Sequence, residues 1–210
     1  MRKLTENLDA YADKIRQNLT VKDASREKVL PLSRELIRFA SITIRAIHRQ
    51  EFEQAKDLLE QGRKVRDALE QAANEWQELR YTGYYRDAHK EFTEASATLA
   101  LVTGEPLPGP DELKVDYTAY LSGLGDTVGE LRRYMLDSMR HGDLSRGEDL
   151  LTAMDEIYTV LVTMDFPDAV TCGLRHTTDN VRGILEKTRG DLTLAVTQKV
   201  LETKISKAKE

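Results

Sequence analysis

At 210 residues, with 32% charged side chains and a formal net charge of −5, the chain is sized for one domain with a real core. No stretch approaches the ~18 consecutive apolar residues that a membrane span requires. Cys172 is the single cysteine, which excludes an intramolecular disulfide and a thiolate zinc cluster. No apolar segment follows the two early basic residues, so no signal peptide is read and a reducing, cytoplasmic compartment is expected.

The net charge alone disfavours a polyanionic partner, but it hides an asymmetry. Residues 1–50 hold eleven Lys or Arg against six Asp or Glu, a balance of +5, which leaves −10 for residues 51–210.

Helical spacing of apolar residues predicts about seven helices, at 1–18, 24–49, 51–77, 80–102, 114–140, 145–164 and 167–205, with the last open to a break near Gly190. The second carries the stripe Val29, Leu32, Leu36, Phe39 or Ala40, Thr43 and Ile47. Arg34, Arg38, Arg45 and Arg49 lie near one face of that helix, with His48 beside them. That face suits either a phosphate-tracking stripe or an ordinary solvated surface paired with Glu35 and Glu51. The fourth helix opens on Arg80-Tyr-Thr-Gly-Tyr84-Tyr85-Arg86, with His89 and Lys90 a turn later. Interleaved Tyr and Arg can stack bases and bind phosphates, or the tyrosines can staple the helix start to the core.

Gly104-Glu-Pro-Leu-Pro-Gly-Pro110 then breaks the chain, since no helix or central strand crosses it. A second break follows at His141-Gly142-Asp143-Leu144-Ser145, a Gly stop and a Ser cap. Leu150, Met154, Ile157, Leu161 and Met164 form another stripe, Pro167 sits at a first helical position, and Val196, Val200 and Ile205 form a third stripe. With no period-two segment and no internal repeat, the expected architecture is an all-α, single-domain helical bundle over 1–210.

The chemistry-bearing residues flank the Pro-rich loop. Glu91 and Glu94 are spaced i,i+3, and Asp126 and Glu130 are spaced i,i+4, so each pair shares a helix face. If the two helices packed antiparallel, up to four carboxylates would converge and need compensation by a divalent cation or shared protons. Oxygen ligands of this kind suit Mg²⁺ or Mn²⁺, which orient and activate water at a phosphodiester. A solvated acidic face has the same spacing. Gly123, Gly125 and Gly129 interrupt the second helix at ~1 kcal/mol each relative to Ala, so a ligand or a neighbouring helix comes close there.

Tyr120-Leu-Ser-Gly-Leu-Gly-Asp-Thr-Val-Gly-Glu-Leu-Arg-Arg133 followed by Asp137-Ser-Met-Arg-His-Gly-Asp143 resembles the most characteristic segment of the translin family. Leu32-Ser-Arg-Glu-Leu-Ile37, Ile44-Arg-Ala-Ile-His-Arg49 and Tyr84-Tyr-Arg86 leading into Glu91-Phe-Thr-Glu94 are similar to the same family, in order over nearly the whole chain. The family has two kinds of subunit, and only the translin-associated factor X kind carries two glutamates and an aspartate that form a Mg²⁺-dependent ribonuclease centre. This sequence has matching residues at Glu91, Glu94 and Asp126, with Glu130 in a supporting role. It lacks the long insertion of eukaryotic factor X between the two acidic helices, and so resembles a compact, archaeal-type member. The resemblance implies a hollow homo-oligomer, typically an octamer, that encloses single-stranded or short duplex RNA, with single-stranded DNA as a ligand of several members. It implies a Mg²⁺-dependent endoribonuclease, with a non-catalytic RNA- or DNA-binding protein as the competing reading.

Three further expectations concern single residues. Trp76 reads as a core anchor, Cys172 as a small buried hydrophobe and His141 as a helix-end imidazole. A di-iron bundle is disfavoured, because no histidine has a Glu three residues before it. A nucleotide pyrophosphohydrolase is disfavoured by the Asp126-x-x-x-Glu130 spacing.

Overall fold

The structure, a computed structural model, describes residues 5–208. Among them are eight α-helices and one 3₁₀ turn, and no strand. The first expected helix begins at residue 1, and its first four residues lie outside the described ones.

Helix α1, Leu8–His48, is continuous where two helices were expected. Nothing in residues 19–23 breaks a helix, and Thr20 and Ser25 hydroxyls donate back to the carbonyls of Arg16 and Val21. Pro31 is carried inside it. Val29, Leu36, Ala40, Thr43 and Ile47 are buried as the stripe requires, whereas Leu8, Tyr11, Ile15 and Leu19 are exposed on the first half. A tight turn with Gln50 at φ 60 leads to α2, Phe52–Asn74. Its buried positions Ala55, Leu59, Gly62, Arg66, Leu69 and Ala73 alternate steps of four and three. Gly62 matters because a Cβ there would stand 3.2 Å from the Phe92 ring.

After the 3₁₀ turn Gln77–Tyr81 comes α3, Gly83–Thr103, the central helix, which packs on α1 and α2. Tyr85, Ala88, His89, Phe92, Thr93, Ala95, Ser96, Leu99 and Val102 are buried, so only a narrow strip of α3 stays open. Gly104 at φ 79 ends it. The four-residue α4, Pro110–Leu113, lies within the return to α5, Tyr117–Arg140. Asp116 caps α5 by accepting the amides of Thr118 and Ala119 at 2.9 and 3.1 Å.

Helices α3 and α5 run parallel, not antiparallel. The His89 Nδ1 accepts the Asp116 N–H at 3.1 Å near both N-terminal ends. Lys90 meets Asp126 further along. At the other end, Arg146, six residues beyond α5, donates to the C-terminal carbonyls of α3 at Leu101 and Val102. A helix of 21 residues spans about 31 Å, which residues 104–116 retrace because the Pro-rich part is extended at ~3.3 Å per residue.

The remaining helices are α6, Gly147–Thr163, the short α7, Asp168–Thr171, and α8, Leu174–Ala208. The last expected helix therefore divides at Cys172 and Gly173, both at positive φ, rather than near Gly190. Pro167 stands just before α7, not at its first position. Leu150, Met154, Ile157 and Leu161 are buried with Met164 packed beside them. Val196, Val200 and Ile205 are exposed, contrary to the expected stripe, because the end of α8 runs past the bundle.

Candidate functional site

Glu91, Glu94 and Lys90 occupy the strip of α3 left open by the core, and Asp126 and Glu130 face it from α5. Lys90 Nζ stands 2.8 Å from Asp126 Oδ2 and 3.6 Å from Glu91 Oε1, so one ammonium bridges the acids of two helices. Burial first, and then the negative charges of Glu91, Asp126 and Glu130, push Glu94 up to about 8, against the opposing charge of Lys90. Burial pulls Lys90 down, but its hydrogen bond to Asp126 and the charges of Asp126, Glu91 and Glu94 outweigh it and raise Lys90 above its ordinary value. Four carboxylates and one lysine thus form one electrostatic unit.

Glu94 and Asp126 both line a cleft of about 550 Å³ whose far wall is α8, from Thr177 to Lys187. The three glycines of α5 divide between the two readings of them. A Cβ on Gly123 would stand 2.6 Å from the Lys90 carbonyl oxygen, and one on Gly125 would overlap Thr177, so these two admit α3 and α8. Gly129 has nothing within 4 Å of a Cβ and lines the cleft beside the acids.

His48 Nε2 lies 2.5 Å from Glu130 Oε2, which ties the end of α1 to the acidic unit. The sequence places His48 beside the arginines and carries no sign of this pairing across 82 positions. Asn180 and Lys187 of the cleft wall also carried no motif.

Among the described residues, no three His, Cys, Asp or Glu side chains are arranged as a metal-binding group. The donor chemistry nevertheless fits a hard cation. The acids are all oxygen donors, burial and the neighbouring acids disfavour the Glu94 anion, and a cation, Lys90, already stands against Asp126.

Arg34, Arg38, Arg45 and Arg49 are exposed along one side of α1. Arg38 pairs with Glu35 at 3.5 Å, and Arg45 meets the Ser41 hydroxyl at 3.2 Å. The expected Tyr-Arg nucleic-acid cluster divides. Arg86 and Lys90 are half-buried and line a surface cavity, and Tyr84 is partly exposed with a buried hydroxyl. Tyr85 and His89 are corrected to core residues, 3% and 1% exposed. The Tyr85 hydroxyl donates to Glu70, and His89 Nε2 faces the same carboxylate at 3.3 Å, so neither reaches a strand. Cys172 is exposed, not buried, because the turn between α7 and α8 holds it outside the core. His141 caps the end of α5, and Trp76 packs against the core with Lys22 5.8 Å from its ring centroid.

No family model matches the chain. It is 32% identical over 182 residues to an uncharacterized protein of Methanocaldococcus jannaschii, across 83% of this chain and 78% of that protein. Among solved structures, AfC3PO in complex with duplex RNA is 31% identical with a TM-score of 0.84, over 90% of this chain and 98% of that one. A second crystal structure of AfC3PO is 32% identical with a TM-score of 0.83, over 90% and 99% of the two chains. Apo-NeC3PO, at 18% identity and a TM-score of 0.75 over 92% and 99%, shares the fold. The likeness to AfC3PO covers nine tenths of this chain at over 30% identity, and on that ground the chain belongs to the translin/C3PO family.

Proposed function

We propose that the protein binds RNA and cleaves it as a Mg²⁺-dependent endoribonuclease. The observation that carries this reading is the meeting of Glu94 and Asp126, from two different helices, at the wall of one cleft. The RNA complex of AfC3PO supports RNA as the ligand class.

In this reading Glu91, Glu94 and Asp126 would hold Mg²⁺ (or Mn²⁺), which would supply Lewis acidity at the phosphodiester and toward water. The chain's own residues do the rest. Arg86 and Lys90 hold phosphate oxygens beside the acids, as charge-assisted donors. Glu130, fixed by His48, orients water through its free oxygen. Gly129 keeps the cleft wall low enough for a strand to lie against it. The exposed apolar residues of the α1 start and the α8 end support self-assembly around such a strand, with the octamer as the expected form.

The test is cleavage of a labelled single-stranded RNA with Mg²⁺ and with EDTA. Glu94→Ala and Asp126→Ala should each lower the rate by at least 100-fold, on the order of 3 kcal/mol or more of transition-state stabilisation. Undiminished cleavage by both variants removes the assignment.

A second reading, an RNA- or DNA-binding protein without turnover, is favoured by one observation. Lys90 already satisfies Asp126, so the acids have a built-in counter-charge. That reading gives binding that is salt-sensitive, indifferent to EDTA and free of cleavage with any divalent metal.

A further inference from the structure

The acidic cleft has a neighbour on the other side of Asp126. A separate cavity of about 190 Å³ opens between the N-terminal halves of α3 and α5 and the start of α8. It shares Asp126 and Thr177 with the cleft, so the two spaces adjoin. Its character is different. Arg86, Lys90 and Glu94 follow one another at steps of four along α3, and Ser122, Asp126 and Glu130 do so along the parallel α5. The groove between the helices therefore changes from cationic and hydroxyl-bearing at its start to acidic at its end.

Donors without acceptors gather in the first part. Arg86 makes no hydrogen bond or ion pair among the described residues, and its Nε is buried without a partner. The hydroxyls of Ser122 and Thr177 line the same cavity and are likewise unpartnered among the described residues. A buried guanidinium N–H without an acceptor, such as that Nε, is costly unless a ligand supplies one. The anionic groups nearby do not fill that need. Asp126 is engaged by Lys90, and Asp87 is exposed.

We propose that this cavity is a phosphate subsite. It takes a phosphate group of the strand that occupies the cleft, with Arg86 as the charged donor and Ser122 and Thr177 as the hydroxyl donors. A guanidinium and two hydroxyls are the kinds of donor that phosphate oxygens accept, and the guanidinium adds the matching charge. The position next to Asp126 makes this the phosphate flanking the bond at the acids. An internal phosphodiester and a 5′-terminal phosphate share that chemistry. The subsite rests on the RNA reading above for its natural ligand, but its binding chemistry is separable from cleavage.

The experiment uses the full chain in EDTA, so that an inactive protein still reports. Inorganic phosphate is titrated by calorimetry or NMR. Two six-nucleotide single-stranded RNAs of one sequence, bearing a 5′-phosphate or a 5′-hydroxyl, are titrated by anisotropy. Arg86→Gln should weaken inorganic phosphate at least tenfold, and Thr177→Val about threefold, with circular dichroism unchanged. A 5′-phosphate preference that vanishes in Arg86→Gln assigns the subsite to a strand end. Equal affinities that both fall in Arg86→Gln assign it to an internal phosphate. Phosphate and RNA binding that survive both substitutions, or no binding of inorganic phosphate by the parent chain, overturn the proposal. If Arg86→Gln does not fold, the near-isosteric Thr177→Val decides it.

Discussion

His48 Nε2 and Glu130 Oε2 stand 2.5 Å apart and join the last turn of α1 to α5, although 82 positions separate them in the chain. His48 Nδ1 is buried and has no partner, so an Nδ1–H would be a stranded donor and Nε2 is the nitrogen that donates to the carboxylate. Removing the ring leaves Glu130, whose side chain is 22% exposed, with Arg133 at 3.8 Å as its one ion-pair partner among the described residues. His48→Ala is therefore expected to cost about 1–3 kcal/mol of stability, as for loss of a hydrogen bond to a charged group. His48→Gln should recover part of it through its amide donor. Urea denaturation of the three proteins checks this, and equal midpoints would show that the contact carries no stability.

Glu94 gives a pH dependence to the metal-free chain. Its folded-state value is about 8 against an ordinary 4.5, because burial and the nearby acids disfavour the anion. The folded chain thus keeps a proton that the unfolded chain has lost between those values. The stabilisation is whole below about pH 4.5 and is lost as the pH rises through 8. Thermal midpoints in EDTA should fall across that window, and Glu94→Gln, which cannot ionise, should show a shallower fall. An identical pH profile in both proteins would mean that Glu94 titrates normally.

Much of the bundle was legible because apolar periodicity reports burial directly, as along Val29 to Ile47 and Leu150 to Leu161. Relations between distant elements were not. The parallel run of α3 and α5 depends on a loop folding back along the helix, and the Pro-rich sequence permits that without requiring it. The misassignment of Tyr85 and His89 had a readable remedy. Together with Phe92 and Ser96 they step by four, three and four, a core stripe, while Arg86, Lys90 and Glu94 follow on the adjacent face. Nothing local foretold Glu70 as the partner of Tyr85 and His89, or His48 as that of Glu130, because a single sequence carries no record of pairings made across the core.

The glycines of α5 separate packing from access. Gly123→Ala would bring a Cβ to 2.6 Å from a backbone oxygen of α3, an atom that cannot swing away. The helices must move apart, and a loss of about 1–3 kcal/mol is expected. Gly129→Ala meets nothing within 4 Å and should gain up to ~1 kcal/mol from helix propensity. Because that methyl projects beside the cleft, the same substitution should weaken RNA binding while raising the denaturation midpoint. Stability and affinity measured on both variants distinguish these outcomes, and destabilisation by Gly129→Ala would place it with the packing glycines.

The arginine stripe of α1 can be weighed in the same way by salt dependence. Arg34, Arg45 and Arg49 are exposed and form no ion pair among the described residues, whereas Arg38 pairs with Glu35. All four fall within about 60° of helix arc, and the stripe ends beside His48, which reaches the acidic unit through Glu130. Cations that merely solvate a surface contribute little, but cations on a strand displace counterions, at about 0.7 in the log–log salt slope per phosphate contact on single strands. Replacing Arg34, Arg45 and Arg49 together with Gln should lower that slope by about 2 and weaken binding most at low salt. Arg38→Gln alone should change it less, since its charge is already shared with Glu35. Titration of a single-stranded RNA at four salt concentrations, in EDTA, measures the slope. If the triple variant keeps the parent slope, the strand does not run along α1 and the stripe is an ordinary solvated face.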